Sequence, residues 1–181
     1  DAKNIFFDFW KTVKDEVPVS NDDIKILRDE LVATVQEGYS PATALANALK
    51  KLFEEGKVSK EPSPGYVYIG EYINSETNEP LFNYVKIGYT TSGVEQRAQA
   101  LSGGVVGPLK FEMKYAWKFN PGFAYIVEQY LHGLFDSHRQ MGEFFNNMDG
   151  LIEEWVSEVI TSEYSDICEP TLINGQVARN K

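Results

Sequence analysis

Apolar residues recur with a helical period in the first third of the chain. From Ser20, which can cap a helix, to Gly38, which can end one, the apolar positions repeat about every 3.6 residues. Pro41 suits the first turn of a second helix, and Gly56 closes its apolar stripe. The apolar positions of the two helices are Ile24, Ile26, Leu27, Leu31, Val32, Val35, Leu45, Leu49 and Leu52. Residues 1–62 are therefore predicted to form a helical accessory region built on a helical hairpin.

Beyond a proline-containing linker at residues 58–64, the pattern becomes that of strands alternating with helices. Ser92 and Glu95, three residues apart, form a capping box for one of these helices. The predicted elements, in chain order, are strands at residues 66–72 and 81–89, a helix at 93–101, a strand at 109–119, a helix at 120–138, a strand at 142–145 and a helix at 151–160. This order predicts an α+β domain with a small three-stranded sheet, mixed or antiparallel, flanked by helices.

The composition favours a folded protein and limits its partners. Of the 181 residues, 43% are hydrophobic and 13% aromatic, which is enough for a buried core. No apolar run approaches the roughly 20 residues that span a bilayer, so no membrane partner is predicted. Cys168 is the only cysteine, which excludes an intramolecular disulfide and predicts a cytoplasmic protein. The net charge of −10 opposes the non-specific binding to phosphate that Lys and Arg drive.

Two of the predicted strands bring glycines and polar side chains to one face of the sheet. Because strand residues alternate between faces, Tyr68 and Gly70 share a face, as do Lys86 and Gly88 on the next strand. A phenol and an ammonium group can therefore face one cleft, and the two glycines would leave room for a phosphate to approach. The helix that follows offers unpaired N–H groups at its N-terminus, and Arg97 one turn later can contact phosphate oxygens. This arrangement predicts an anion pocket.

Glu128 and His132 lie four residues apart in the predicted helix 120–138, so they stack on the edge of its apolar stripe. One carboxylate with several waters and substrate oxygens is an ordinary way to hold Mg²⁺. Glu128 is therefore the predicted ligand of Mg²⁺ or Mn²⁺. For His132, a structural hydrogen bond at a helix edge is as well supported as a catalytic or water-positioning role.

Together these residues resemble the GIY-YIG nuclease superfamily over residues 64–147. Tyr66-Val67-Tyr68 stands where the first half-motif would be, and Lys86-Ile87-Gly88 where the second would be. The match is similar to a branch common in phages and mobile elements, which carries Lys-Ile-Gly-x-Thr in the second half-motif. The further features that agree with this branch are Arg97, Glu128 with His132, Arg139, and the run Gly142-Glu143-Phe144-Phe145.

The resemblance implies a divalent-metal-dependent endonuclease that hydrolyses phosphodiester bonds. It implies a nuclease domain at residues 63–149, followed by a C-terminal helix and acidic tail at residues 150–181. The implied catalytic residues are Tyr68, Lys86, Arg97, Glu128 and His132, with Glu128 also holding the metal. Tyr68 would be the general base or would relay a proton from the attacking water, and Arg97 would stabilise the charge on phosphorus. Lys86 replaces the second tyrosine of the family, and electrostatic support is its favoured role.

Simpler roles for the same residues stay open. Tyr68 can simply pack on a sheet, and Arg97 can be a solvated helix residue. The expected partner is nucleic acid, DNA rather than RNA, while the N-terminal helices are a candidate surface for a homodimer or a protein partner. The alternative function is that of a non-catalytic acidic module that binds or inhibits a nucleic-acid-processing protein, because an acidic surface can imitate a phosphate track.

Overall fold

A computed structural model describes a large part of the chain, namely residues 11, 21–39, 44–45, 47–48, 51, 54–56, 65–103, 107–119, 123–165, 168–170, 172–173 and 176–177. The helices are α1 (Asn21–Gln36), α2 (Val94–Ser102), α3 (Ala124–Leu134) and α4 (Leu151–Tyr164). The strands are β1 (Gly65–Asn74), β2 (Tyr84–Thr90), β3 (Leu109–Phe119), β4 (Arg139–Met141), β5 (Phe144–Asn146), β6 (Cys168–Pro170), β7 (Leu172–Ile173) and β8 (Gln176–Val177). Short 3-10 turns occupy Asp136–His138 and Met148–Gly150.

The sheet is larger than the sequence predicts. Six strands pair in the order β4-β5-β2-β1-β3-β6, and all five pairings are antiparallel. The α+β class stands, but the expectation of a three-stranded sheet is wrong. Of the additional strands, β5 overlaps the strand predicted at residues 142–145, while β4 and β6 have three residues each, which is too short for an alternating pattern to be recognised. Their pairing partners, rather than their own sequences, make them strands.

One face of the sheet is covered by helices and holds the main core. The strand side chains Val67, Ile69, Val85, Ile87 and Trp117 belong to one buried cluster with apolar residues of α1, α3 and α4. Leu31 in α1 and Ile152 in α4 are examples of side chains with no exposed surface. Burying an aliphatic side chain of this size stabilises a fold by about 1.5–3 kcal/mol, so these contacts anchor the helices to the sheet.

The other face of the sheet carries a smaller core under α2. Tyr68, Phe111, Met113 and Ala116 pack there against Val94 at the start of the helix. A register shift between Ile69 and Gly70 in the pairing of β1 with β3 adds one residue to β3 at this point. The face that holds Tyr68 is therefore the face over which α2 and Arg97 lie.

Several predicted elements agree with the structure and others shift. The first helix of the predicted hairpin is α1, and Gly38 after it has a φ of +107°, which suits a helix end. Residues 44–45, 47–48, 51 and 54 are also helical. The predicted linker at 58–64 lies outside the described residues, and the division of the chain at residues 62 and 149 stays a prediction.

The predicted capping box before α2 is wrong. Gly93 is the N-cap residue and makes no side-chain cap hydrogen bond, while the Ser92 hydroxyl pairs with the Thr90 hydroxyl at 2.8 Å. The predicted helix to residue 138 instead ends at Leu134, and a 3-10 turn follows it. Within the residues that the structure describes, no helix has the length and apolar character needed to cross a membrane.

Candidate functional site

The Tyr68 ring lies across the backbone of Gly88. The two residues are partners in the β1–β2 ladder, and a Cβ atom at Gly88 would stand 2.5 Å from Tyr68 Oη. At Gly70, a Cβ atom would collide with the Phe111 ring in the same way. The expectation that these glycines leave room for a phosphate is therefore wrong, because aromatic rings of the protein fill both spaces. Gly88 instead fixes where the Tyr68 hydroxyl can lie.

The Tyr68 hydroxyl and the Arg97 guanidinium meet without completing a hydrogen bond of regular geometry. Tyr68 has no exposed surface, and its Oη has no hydrogen-bond partner. Arg97 Nε is likewise buried without a partner. In the part of the chain that the structure describes, these are the buried side-chain atoms that lack one. A buried polar group left unpaired costs about 1–3 kcal/mol, so this pair of atoms calls for a functional explanation.

The environment of Tyr68 favours the neutral phenol. Burial raises the pKa of Tyr68 above its ordinary value, although the nearby Arg97 guanidinium acts in the opposite direction. The carboxylates of Glu143 and Glu128 add to the increase in pKa, which indicates that they also lie near the phenol. At neutral pH, Tyr68 can therefore donate a hydrogen bond, whereas a standing phenolate is disfavoured.

Lys86 points to the same face and forms an ion pair. Its Nζ atom lies 3.1 Å from Glu143 Oε2, and the Lys86 side chain is 11% exposed against 43% for Glu143. The ammonium group also lies 5.9 Å from the centre of the Phe144 ring. Glu143 was missed as a site residue, although it belongs to the Gly-Glu-aromatic-Phe run. It comes beside Lys86 because β5 pairs with β2 at Lys86 and Phe144.

After Lys86, where its pairing with β5 ends, β2 is contacted by side chains of α3. The His132 Nε2–H group donates to the Ile87 carbonyl oxygen at 2.7 Å, and the Tyr89 backbone N–H donates to the Glu128 carboxylate. The Ile87 N–H donates to the Glu143 carbonyl oxygen at 3.0 Å. Glu128 and His132 therefore satisfy backbone groups at the edge of β2, and both are buried rather than at the border of a stripe.

Glu128 is a carboxyl group whose proton is held unusually tightly. It is 2% exposed, and burial raises its pKa from 4.5 to about 7, with the charge of Glu143 adding to the increase. Hydrogen bonds from Tyr89 and from Gln129 Nε2, the latter at 2.8 Å, and the charge of Lys86 act in the opposite direction. A carboxyl group that titrates near neutral pH is typical of functional sites.

His132 is neutral and positions Glu128. Burial lowers the pKa of His132, and its Nε2–H group is used by the Ile87 carbonyl. The remaining nitrogen, Nδ1, faces Glu128 Oε1 at 3.8 Å. Since one ring nitrogen is bonded to the Ile87 carbonyl and the other faces the carboxylate, His132 is better placed to support Glu128 than to bind a ligand.

The side chain of Arg139, a residue that agrees with the family resemblance, makes its hydrogen bonds within the protein. It donates to Asp136 Oδ1 at 2.9 Å, to the His132 carbonyl oxygen at 3.3 Å and to the Gly142 carbonyl oxygen. Its guanidinium also lies 5.0 Å from the centre of the Phe145 ring. Arg139 therefore ties the end of α3 to the turn that carries Glu143.

The carboxylates permit a sparse metal site. Among the described residues, no three His, Cys, Asp or Glu side chains are grouped so that they could enclose a metal ion. The Glu128 carboxylate nevertheless offers hard oxygen atoms, and Glu143 is a second carboxylate close enough to raise its pKa. Because Mg²⁺ commonly keeps several waters and uses one or two carboxylates, this donor set fits Mg²⁺ and does not fit a metal that needs an all-protein cage.

A second group of charges lies on the opposite face of the sheet from Tyr68. Lys114 forms ion pairs with Glu153 and with Glu71 Oε1, the latter at 3.4 Å. Asn147 Nδ2 donates to Glu153 Oε1 at 2.8 Å, and Asn147 Oδ1 accepts the backbone N–H groups of Ile152 and Glu153 at the start of α4. This Lys114 cluster joins β1, β3 and α4.

Comparison with known proteins identifies one family. The T5orf172 domain model matches residues 65–162, slightly more than half of the 181 residues. The family inferred from the two half-motifs, the GIY-YIG nuclease superfamily, is therefore wrong, because the model that matches is that of the T5orf172 domain. Short glycine-containing strands are weak signals of family by themselves. No curated protein and no solved structure matches the chain.

Proposed function

The chain belongs to the T5orf172 domain family, whose membership is consistent with a nucleic-acid-related role, and we propose that it is a divalent-metal-dependent nuclease. The reaction would be hydrolysis of a phosphodiester bond in nucleic acid, with DNA as the preferred substrate. The observation that supports this proposal most is the pair of buried atoms Tyr68 Oη and Arg97 Nε, which lack regular hydrogen bonds and lie over the sheet face that also carries Lys86. Hydrogen-bond donors held ready next to a cation are what a phosphate oxygen requires.

Arg97 and Tyr68 would bind the phosphate and stabilise its developing charge. The Arg97 guanidinium can donate to a non-bridging oxygen, and Tyr68 can donate its proton to an oxygen of the same group. Because burial raises the pKa of Tyr68, the phenol acts as a donor and proton relay rather than as a standing phenolate base. Both atoms would then gain regular hydrogen bonds when substrate is bound.

Lys86 would supply electrostatic support. Its ammonium group is paired with the Glu143 carboxylate, so the proposed role of Lys86 is that of a positive charge beside the phosphate rather than that of a general base. An arriving phosphate competes with Glu143 for this ammonium group. The exposed Glu143 side chain can turn toward solvent while its backbone carbonyl stays bonded to Ile87 N–H.

Glu128 is the residue proposed to hold Mg²⁺ or Mn²⁺, with His132 keeping its carboxylate in place. When bound, the metal would supply charge stabilisation for the leaving oxygen. The side chain of Glu128 must be ionised to serve as a ligand, which its pKa of about 7 permits at and above neutral pH.

Cleavage of plasmid DNA and of labelled DNA and RNA oligonucleotides with Mg²⁺ or Mn²⁺ tests this proposal. The wild type should cleave, and Arg97→Ala and Glu128→Ala should each reduce the rate by about 100-fold or more. Matched controls are Lys110→Ala and Glu158→Ala, which remove exposed charges outside the cleft and should leave the rate unchanged. Absence of cleavage by the wild type, or full activity of both site variants, would contradict the proposal.

Two observations favour a second candidate, a non-catalytic acidic module that binds a nucleic-acid-processing protein. The net charge is −10, and the cleft ammonium group of Lys86 is already neutralised by Glu143. If this second function is correct, wild type and Glu128→Ala should capture the same partner with equal affinity. Metal-dependent cleavage that is lost in Glu128→Ala would exclude it.

A further inference from the structure

Aromatic side chains form a row on the sheet beside the cleft. Tyr84 lies two residues before Lys86 in β2, Phe144 is the ladder partner of Lys86, and Tyr72 lies two residues after Gly70, the other ladder partner of Lys86. Because strand side chains alternate, all three point to the face that carries Tyr68. Phe82, just before β2, continues this set. We call Tyr72, Tyr84, Phe144 and Phe82 the aromatic row.

The rings of the aromatic row are nearly parallel within pairs. The Tyr72 and Phe144 ring centres are 6.1 Å apart with an angle of 22° between the planes, and those of Phe82 and Tyr84 are 5.8 Å apart with an angle of 15°. The Tyr72 hydroxyl donates to the Leu101 carbonyl oxygen at the end of α2 at 3.3 Å. This hydrogen bond holds the Tyr72 ring, at one end of the aromatic row, in a fixed position.

The row is also accessible. Phe82 is 61% exposed, and Tyr72, Tyr84 and Phe144 are half-buried. The helix α2 covers the neighbouring part of this face, where Tyr68 and Phe111 lie in the smaller core. An exposed aromatic side chain that continues a set of half-buried ones on a sheet face is typical of a binding surface.

We propose that the aromatic row binds unpaired nucleobases next to the phosphodiester bond held in the cleft. This inference rests on the proposed function, since the row continues directly from the cleft through Lys86. Each base presents a flat π-face, and stacking on Tyr and Phe is the common way in which proteins hold single-stranded nucleic acid on a sheet. The Lys86 ammonium group, 5.9 Å from the Phe144 ring centre, gives the backbone phosphate a positive charge at the edge of the row.

Unpaired bases suit this surface better than duplex DNA or a protein partner. In a duplex the π-faces are covered by neighbouring bases, so flat rings on a protein have nothing to stack on. The ammonium group of Lys86 at the edge of the row also suits a partner that carries a phosphate next to each base. Stacking also does not depend on a net positive charge, which reconciles nucleic-acid binding with the net charge of −10.

Binding by the full chain in EDTA tests the proposal apart from cleavage. The probes are a blunt duplex, the same duplex with a four-nucleotide unpaired end, and single strands of DNA and RNA, with 2-aminopurine at unpaired positions. The wild type should bind the unpaired ends more tightly than the blunt duplex and should quench the 2-aminopurine fluorescence by stacking. Phe82→Ala and Tyr84→Leu should each weaken this binding by about fivefold to tenfold and reduce the quenching.

Tyr39→Ala is the matched control, because Tyr39 is 53% exposed and lies after α1, outside the sheet. It should bind like the wild type. Equal affinity of the wild type for blunt and unpaired ends, or equal losses in Tyr39→Ala and Phe82→Ala, would overturn the proposal. A peptide partner that competes with the probe and loses affinity in Phe82→Ala, while the oligonucleotides bind unchanged, would also overturn it. Quenching without any cleavage in Mg²⁺ would support the aromatic row and contradict the proposed hydrolysis.

Discussion

The cleft and the Lys114 cluster use similar side chains on the two faces of one sheet, but they differ in how their polar atoms are paired. Lys114 contacts the carboxylates of both Glu71 and Glu153, and Asn147 adds a further hydrogen bond. In the cleft, Tyr68 Oη and Arg97 Nε are buried without partners. Protein interiors rarely leave such atoms unpaired, so the difference is the one that the proposed function expects between a cluster that holds the fold and a site that binds a ligand.

The pKa values follow the same division. Burial raises the pKa of Glu71, and Lys114 acts against this increase. Burial alone would lower the pKa of Lys114, but the carboxylates of Glu153 and Glu71 raise it overall, so the ionised form of Lys114 is stabilised. Glu71 is paired with Lys114, whereas no lysine or arginine forms an ion pair with Glu128 among the described residues, and the pKa of Glu128 reaches about 7.

The largest predicted effect is on the stability of a Lys114→Ala variant. Lys114 is partly buried, and removing it leaves the more deeply buried carboxylates of Glu71 and Glu153 uncompensated, which should cost about 2–3 kcal/mol. Urea denaturation measures the free energy of unfolding. Converting Glu71 and Glu153 to Gln in the same variant should recover most of the loss. If the Lys114→Ala protein were as stable as the wild type, the Lys114 cluster would not be the structural counterpart of the Tyr68–Arg97 site.

A Glu128→Gln variant should change how stability depends on pH. The folded protein holds the Glu128 proton up to about pH 7, whereas the unfolded chain releases it near pH 4.5. The raised pKa of Glu128 therefore stabilises the folded state fully below pH 4.5. This contribution, about 3 kcal/mol of the free energy of unfolding, is lost as the pH increases from 4.5 through 7. Glu128→Gln should lack this decrease, so it should be more stable than the wild type at pH 8.

The measurement is urea denaturation in EDTA at pH 5 and pH 8, with Glu158→Gln on the surface of α4 as the control. The control should follow the wild type at both values. A Glu128→Gln protein with the same loss of stability as the wild type between pH 5 and pH 8 would show that Glu128 is not the group that titrates.

Tyr68→Phe should separate stability from activity. It removes an unpaired buried hydroxyl without changing the ring that covers Gly88, so the free energy of unfolding should stay equal or increase by about 1 kcal/mol. The cleavage rate should decrease at least tenfold. Tyr130→Phe, which removes a hydroxyl bonded to Glu163, serves as the comparison and should not affect the rate. A destabilised Tyr68→Phe with full activity would contradict the account.

The smallest predicted effect concerns the charge of Glu143. Glu143→Gln should bind a nucleic-acid probe about twofold to fivefold more tightly in EDTA, because Lys86 would then meet the phosphate without a competing carboxylate. Glu79→Gln, an equal change of charge in the exposed loop before β2, is the control. Equal changes in both variants would mean that only the net charge matters.

The alternation of strand residues allowed part of this arrangement to be predicted from the sequence. It brought Tyr68, Lys86 and their facing glycines to one surface, and the strand 109–119 agrees with β3. The strands β4 and β6 could not be predicted, because three-residue strands carry no periodic signal, whereas β5 overlaps the strand predicted at residues 142–145. Glu143 was missed as a partner of Lys86 because the sequence does not show that β5 pairs with β2.

The burial of Glu128 also could not be predicted from the sequence. Its helix pattern predicts an edge position, but the contact of α3 with the edge of β2 covers the carboxyl group and raises its pKa. The space above Gly70 and Gly88 was misjudged because the rings that fill it come from other residues of the fold. Tertiary contacts, rather than local patterns, decide these features.

A crystal of the wild type soaked with Mn²⁺ and an oligonucleotide carrying a non-hydrolysable phosphate tests the central claim most directly. We expect Mn²⁺ density beside Glu128 and a phosphate oxygen within hydrogen-bonding distance of both Tyr68 Oη and Arg97 Nε. The claim would be contradicted if the oligonucleotide were bound elsewhere while these two atoms stayed unpaired and Glu128 carried no metal.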